Sequence, residues 1–284
     1  MSIRVFKDAD IGFAHEMVTA EQWNDRKEDI KRMLDYEQEG CFIAETNDER
    51  VGHVFSVGYG KLGWIGLLIV RAEYRRDGVG TMLMKKAIEY LLSRGVETAK
   101  LEAVPEITDL YRKMGFVEKC DSLRFVGKSR KTISAQDGRI PSMKNKMLAD
   151  IARLDSQYFG ADRSKVVSRL FQKYPEYCFV SRSGSTIDGY VMCRKADAGY
   201  KLGPLVCDPT NPRMAKKLLV ICMSTLEQDK GVYIGVPAPN KAAIKVLMEL
   251  GFEQYSKIIR MRRGKETAND DVRGASAIGG PMEG

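Results

Sequence analysis

Short apolar runs and amphipathic stretches alternate along the first part of the chain, and their periods sort them into strands and helices. Ile3–Phe6, Cys41–Thr46, Val51–Val57, Trp64–Val70, Ala99–Val104 and Val117–Val126 read as strands. Trp64–Val70 has almost no polar face, which suits a strand covered on both sides. Asp8 to about Thr19 and Asp25–Gln38 read as helices, the second with Ile30, Met33, Leu34 and Glu37 at helical spacing. Asn47–Arg50 is polar and turn-forming, so the strands around it form a hairpin. Thr81–Ser93 places Leu83, Met84, Ala87, Ile88 and Leu91 on one side, with Gly95 just past its end. A last helix starts near Pro105, carries Ile107, Leu110, Tyr111 and Met114 on one face, and stops at Gly115. The order is β-α-α-β-β-β-α-β-α-β.

That unit occurs twice. Cys41-Phe42-Ile43-Ala44 corresponds to Cys178-Phe179-Val180-Ser181, and Gly52-His53-Val54 to Gly189-Tyr190-Val191. Leu110–Phe116 corresponds to Val246–Phe252, and a strand-like stretch follows each Gly-Phe pair, the second being Glu253–Met261. Two copies explain 284 residues better than one domain does. The expected division is residues 1–128, a polar linker at 129–139, a second copy at 140–263, and a disordered tail at 264–284, which is rich in small and polar residues.

The chemistry concentrates in Leu67–Gly80, LLIVRAEYRRDGVG. An apolar strand runs into a basic, glycine-bearing turn, and a helix follows. The start of a helix exposes unpaired N–H groups and a partial positive charge. Gly78 and Gly80 lack side chains that would keep a ligand away, and Arg75 and Arg76 add positive charge. This combination is a cradle for a diphosphate. It is not a dinucleotide fingerprint, because Leu83 stands where a third glycine is needed. It is not a P-loop either, because Thr81-Met82 follows Gly80.

Arg75-x-x-Gly78-x-Gly80 resembles the acetyl-coenzyme A loop of the GNAT superfamily of N-acetyltransferases. Leu110-Tyr111-Arg112-Lys113-Met114-Gly115-Phe116 resembles that family's LYxKxGF signature. The resemblance implies an α+β fold, a mixed and mostly antiparallel twisted sheet flanked by helices, and an acetyl-coenzyme A-dependent transfer to a primary amine by direct attack. It places the diphosphate on Arg75, Arg76, Asp77, Gly78, Val79, Gly80 and Thr81. It also implies that the strand before the loop splays from its neighbour, so that Leu68, Ile69 and Val70 hold the pantetheine arm and the thioester carbonyl through their backbone. Tyr111 would return a proton to the departing thiolate; packing is the competing role for this aromatic. Lys85 and Lys86 read as surface charges of the helix.

The second copy has no such loop. Its counterpart, Gly203–Met214, contains Pro209 and Pro212, which remove amide donors, and Leu247 stands at the place of Tyr111. Asp162-Arg163, Gly203-Pro204, Val236-Pro237, Asn240–Ala243 and Gly251-Phe252 through Arg260-Met261 resemble the YitH-type acetyltransferase C-terminal domain. Coenzyme A is therefore expected once per chain, in the first copy.

Charge and cysteines narrow the partners. The net charge is +8, from 46 Lys and Arg against 38 Asp and Glu. This suits a polyanionic ligand. The basic residues are interspersed with acids and form no zinc-finger or RNP pattern, which argues against nucleic acid. The six cysteines form no C-x-x-C pair and read as buried free thiols. With two distant histidines, no metal site is expected. No run approaches the ~18 apolar residues of a membrane span. The first residues hold no signal-like apolar stretch, so a cytoplasmic protein is expected.

No general base stands on the strand before the loop. Glu102, on the following strand, is the remaining carboxylate; a solvated strand residue and a water chain to bulk are the alternatives. Trp23, Tyr59 and Trp64 are candidates to line an acceptor pocket. A non-catalytic acyl-coenzyme A sensor would use the same loop without needing Tyr111, and a different acyl donor is also compatible with the loop.

Overall fold

A computed structural model describes residues 1–130, 140–266 and 272–284. Most of the expected linker therefore lies outside the described residues. Contacts divide the chain into two compact units. The first comprises Met1–Glu118, Met261–Glu266 and Pro281–Gly284. The second comprises Lys119–Arg260 and the described residues of Thr267–Gly280.

In the first unit, β1 (Ser2–Val5), α1 (Ile11–Ala20), α2 (Lys27–Glu37), β2 (Cys41–Thr46), β3 (Glu49–Tyr59), β4 (Leu62–Val70), α3 (Val79–Ser93), β5 (Thr98–Ala103) and α4 (Thr108–Arg112) follow the expected order. The strands lie in the order β1-β2-β3-β4-β5, antiparallel except for the parallel pair β4/β5. The hairpin is tighter than its sequence suggests. Thr46 pairs with Glu49, and Asn47 and Asp48 both take positive φ (48° and 62°), so the turn has two residues and the next strand starts at Glu49. The two faces of β3 and β4 are covered differently. A Cβ on Gly63 would touch Leu91 and Val96 at 2.9–3.1 Å, so that face meets α3; the opposite face carries Val57, Tyr59 and Trp64, all buried.

Two irregularities sit at the end of β4. Its pairing with β5 stops at Ile65↔Leu101. Its pairing with β3 shifts register between Phe55↔Gly66 and His53↔Ile69, so two residues of β4 face one of β3. Leu67 adopts φ 49° inside this bulge. The bulge takes Leu67 and Leu68 out of regular pairing with β3, which resumes at Ile69↔His53 and Val70↔Gly52.

The second unit holds β6 (Val117–Lys128), α5 (Leu148–Phe159), α6 (Ser164–Lys173), β7 (Phe179–Ser183), β8 (Thr186–Ala196), β9 (Gly199–Cys207), α7 (Pro212–Ser224), β10 (Gly231–Pro237), α8 (Lys241–Glu249), most of β11 (Glu253–Gly264) and β12 (Ala275–Ala277). Its strands run β7-β8-β9-β10-β6-β11, with β12 on β9. The contact units and the sequence repeats divide the chain at different places. β6 closes the first repeat in sequence, yet it pairs with β10 from Lys128↔Gly231 to Ser122↔Pro237. Met261–Glu266 closes the second repeat and belongs to the first unit.

The tail is not disordered where it is described. β12 pairs antiparallel with β9 at Leu205 and Val206, and the Ile278 N–H donates to Gly235 O at 2.9 Å on β10. β9 and β10 pair only at Tyr200↔Val232 and Lys201↔Tyr233 before they diverge, so this stretch of chain enters the gap. Small residues made the tail look unstructured. They fit here because strands that have parted leave backbone groups in need of partners. Asn240 accepts from Ala243 N–H at 3.0 Å to cap α8, and its Nδ2 donates to Arg273 O and Ala275 O at 2.6 and 3.1 Å.

Candidate acyl-transfer site

The loop after β4 is built from special backbone conformations. Arg76 and Gly78 both take left-handed φ, 74° and 83°, and α3 begins at Val79, two residues earlier than its pattern predicts. The first-turn donors are consequently Val79, Gly80 and Thr81. Among the described residues, no N–H from Arg76 through Thr81 donates to any acceptor. Six consecutive donors at the positive end of a 15-residue helix form an anion cradle.

Glycine at 80 is not demanded by the fold. A Cβ there would meet only Leu110 and Val70 side chains, each at an ordinary 3.8 Å, and its φ is not positive. A methyl at Gly80 would stand in the first turn of α3, beside the amides that open the helix. Gly78 has open space around its missing Cβ but needs its positive φ.

The two arginines separate. Arg75 Nε donates to Val70 O at 2.9 Å, and its guanidinium pairs with Glu21, just past α1. Arg76 is exposed and has no ion-pair partner among the described residues. Arg75 thus ties the loop to the end of β4, and Arg76 carries the loop's uncommitted charge. Asp77 is exposed beside it. Lys85 and Lys86 are exposed on α3.

Tyr111, on α4, is 5% exposed and packs edge-on to Phe116 at 6.1 Å between ring centroids. Burial pushes its hydroxyl pKa well above the ordinary tyrosine value. The hydroxyl makes no hydrogen bond within the described residues, so its proton is held and uncommitted. Glu102 is half-buried on β5 and engages other groups of the protein. Of the aromatics, Tyr59 and Trp64 share the face of β3/β4 opposite α3, and Trp23 is half-buried after α1.

A buried ion pair escaped the sequence reading. Arg32, on α2, is 2% exposed, and its Nη1 donates to Asp29 at 2.6 Å. Its only local signal is the i,i+3 spacing of Asp29 and Arg32.

The corresponding place in the second unit is closed by its own side chains. Asp208 accepts from Thr210 N–H at 2.8 Å, Asn211 accepts from Met214 N–H at 3.3 Å, and Pro212 opens α7 without an amide. Arg163 is spent on a buried bidentate pair with Asp155, at 2.7 and 2.8 Å.

Comparison with known proteins agrees with the two-copy architecture. Residues 11–116 match the model of the Acetyltransferase (GNAT) family, and residues 151–273 match a model described as Acetyltransferase (GNAT) domain. The chain is 29% identical over 253 residues to holothin acyltransferase of Pseudoalteromonas sp. (strain SANK 73390), covering 89% of this chain and 84% of the relative. It is 26% identical over 242 residues to the uncharacterized N-acetyltransferase YitH of Bacillus subtilis (strain 168), covering 82% and 80%. A solved structure assigned as an acetyltransferase from Pyrococcus horikoshii has the same fold, with a TM-score of 0.82 at 24% identity, covering 100% of this chain and 95% of that one.

Proposed function

Because the chain belongs to the GNAT family of N-acetyltransferases, with two such domains in tandem, we propose that its first unit binds acetyl-coenzyme A and transfers the acetyl group to a primary amine. The observation that carries this reading is the run of six uncommitted amides from Arg76 to Thr81, set against a second unit whose equivalent donors are capped or replaced by proline.

The residues fit the cofactor. The amides of Arg76–Thr81 face a diphosphate without desolvating any other partner, and Arg76 adds charge at the rim. Arg75 acts one step away: by holding Val70 O and Glu21 it keeps the loop in the conformation that aims those amides. Beyond Ile65, the edge of β4 toward β5 has no strand partner among the described residues, which leaves the backbone groups on that edge of Leu68, Ile69 and Val70 for the pantetheine arm, apart from Val70 O, which accepts from Arg75 Nε. Acetyl-coenzyme A, when bound, supplies a thioester whose acetyl passes to the amine nitrogen as the thiolate leaves. Backbone donors fixed before the reaction stabilise developing charge on the carbonyl oxygen, each contributing ~3 kcal/mol. Tyr111 Oη holds its proton through the neutral range and is the donor for the sulfur. Glu102 is the carboxylate that receives the amine proton, directly or through water.

Tyr111 favours catalysis over a non-catalytic acyl-coenzyme A sensor, which would need only the loop. A panel of amines assayed for acetyl-coenzyme A-dependent thiol release tests the reading. Release with at least one amine is expected. Tight coenzyme A binding with no release for any amine makes the protein a sensor.

A further inference from the structure

On the Tyr59/Trp64 face of β4 the first unit is filled by its own chain. Trp64 Nε1 donates to Pro281 O at 2.9 Å, and the Tyr59 hydroxyl donates to Glu283 O at 3.1 Å. Arg32 Nη2 reaches the two Glu283 carboxylate oxygens at 3.3 and 3.4 Å. Gly66 makes room for the backbone: a Cβ there would stand 2.8 Å from Met282 Cα and 2.9 Å from Pro281 O. Met282 and Glu283 have no exposed surface. The segment therefore abuts Gly66, one residue before the bulge at Leu67, on two of the three aromatics that the sequence nominates for the acceptor pocket.

The polar part of this seat is a built site. Asp29 is committed to α2, accepting from Arg26 N–H at 2.9 Å and from Arg32 Nη1 at 2.6 Å. The rest of the Arg32 guanidinium is left for something else. Its contacts to Glu283 are long for a charged pair, and its Nε is buried with no hydrogen-bond partner. A guanidinium held in place from one side, with its Nε unpartnered and its Nη2 only loosely engaged by Glu283, is a receptor for a carboxylate. The tethered glutamate fills that receptor with poor geometry, so a free ligand with the same group has room to bind better.

We propose that Pro281–Gly284 is a tethered occupant of the acceptor site, and that Arg32 makes this a site for amines that also carry a carboxylate. The inference rests on the acetyl-transfer reading for the identity of the site. Acceptors would be amino acids or small peptides. Each must displace the Met282-Glu283 segment, which makes the segment a competitor present in every molecule.

The test uses a chain ending at Gly280 alongside the full chain. The probe is the tetrapeptide Pro-Met-Glu-Gly, N-acetylated so that it cannot accept an acetyl group, together with its glutamine analogue. In titration calorimetry the probe should bind the shortened chain at least ten-fold more tightly than the full chain, where it must displace the segment. The glutamine analogue should bind at least ten-fold more weakly, and Arg32→Met should abolish that preference. In the thiol-release assay, amino acids should turn over at least ten-fold faster than their carboxamides. The probe should raise their KM and leave kcat unchanged. Glu283→Gln in the full chain keeps the segment's length and volume, and it should lower the KM of the same acceptors several-fold; it carries the test if the shortened chain does not fold. Equal turnover of amino acids and carboxamides overturns the proposal. So does a bound probe that leaves acceptor KM unchanged, since the segment then seals a face that is not the acceptor site while acetyl transfer stands. Absence of release for every amine with coenzyme A bound instead removes the acetyl-transfer reading, and the acceptor site with it.

Discussion

Arg75 Nε donates to the carbonyl oxygen of Val70 at 2.9 Å, so the first arginine of the loop is bound to the strand it follows. Its neighbour Arg76, one residue on and at φ 74°, has no such tie. Two adjacent side chains of equal charge therefore have different jobs. Arg76→Glu should reduce coenzyme A affinity at least ~10-fold, by replacing attraction with repulsion at the diphosphate, and leave thermal stability unchanged. Arg75→Glu should weaken binding as well, with a fall in stability, because it breaks a pair with Glu21 and a cap on Val70. Calorimetry and thermal melts on both variants separate charge from positioning. Equal behaviour in both measurements would contradict the division of labour.

Gly80→Ala is a cleaner probe of the cradle. The added methyl meets only ordinary contacts at 3.8 Å, and alanine is favoured over glycine in a helix by up to ~1 kcal/mol. Stability should be equal or slightly higher. Coenzyme A affinity should fall, because the methyl stands where the diphosphate approaches. Undiminished affinity would place the diphosphate elsewhere.

Coenzyme A should titrate to one site per chain. The start of α7 is capped by Asn211 and opened by Pro212, which leaves too few donors for a second diphosphate. Two equivalent sites in calorimetry would overturn this reading of the second unit.

Tyr111→Phe should lower kcat by ~10²-fold with little change in the KM for acetyl-coenzyme A, since the hydroxyl acts on the leaving sulfur. Burial raises the Tyr111 pKa above its ordinary value near 10, so its proton is lost only at high pH. An alkaline fall in kcat centred below pH 9 should therefore persist in Tyr111→Phe. If such a limb disappears in the variant, Tyr111 titrates in the neutral range and its burial is not what sets its acidity.

His53 gives a prediction about stability. It is fully buried among Phe6, Phe13 and Phe55, and burial lowers its pKa from 6.5 to about 4. The folded protein keeps it neutral, while the unfolded chain binds a proton below pH 6.5. Its contribution is complete above that pH and is lost as pH falls toward 4, by up to about 3 kcal/mol. Urea unfolding at pH 7.5 and 4.5 should show a larger acid loss for the wild type than for His53→Leu. Identical losses would mean that His53 is protonated in the folded state.

What was legible in the chain was what is local. The run Leu67–Val70, the two glycines and the helix after them are neighbours in sequence, and their joint meaning needs no knowledge of the rest. The same holds for the doubled Gly-Phe ends at Gly115 and Gly251. The bulge at Leu67 was not legible, because it depends on how β4 registers against β3. The fate of β6 was hidden too: Val117–Val126 reads as a strand, but its partner β10 lies about a hundred residues away, and nothing local names that partner. Arg75 and Arg76 could not be told apart until the left-handed turn at Arg76 set their directions. Residues 272–284 misled because polarity and small size suggest disorder, whereas their order comes from filling gaps that other strands leave.

The gap between β9 and β10 is filled by β12, and Gly203 has no side chain because one would stand 1.9 Å from Ile278 O. Where β9 and β10 part, the protein's own backbone covers their edges. The arrangement is therefore hard to open. A graft of Arg-x-x-Gly-x-Gly in place of 208–213 would rebuild an anchor for phosphate but no channel for the arm behind it. Reopening the channel would strip β9 and β10 of the hydrogen bonds that now satisfy them. A domain of this kind gains stability from the peptide that fills the gap between its strands, so that segment is part of its fold.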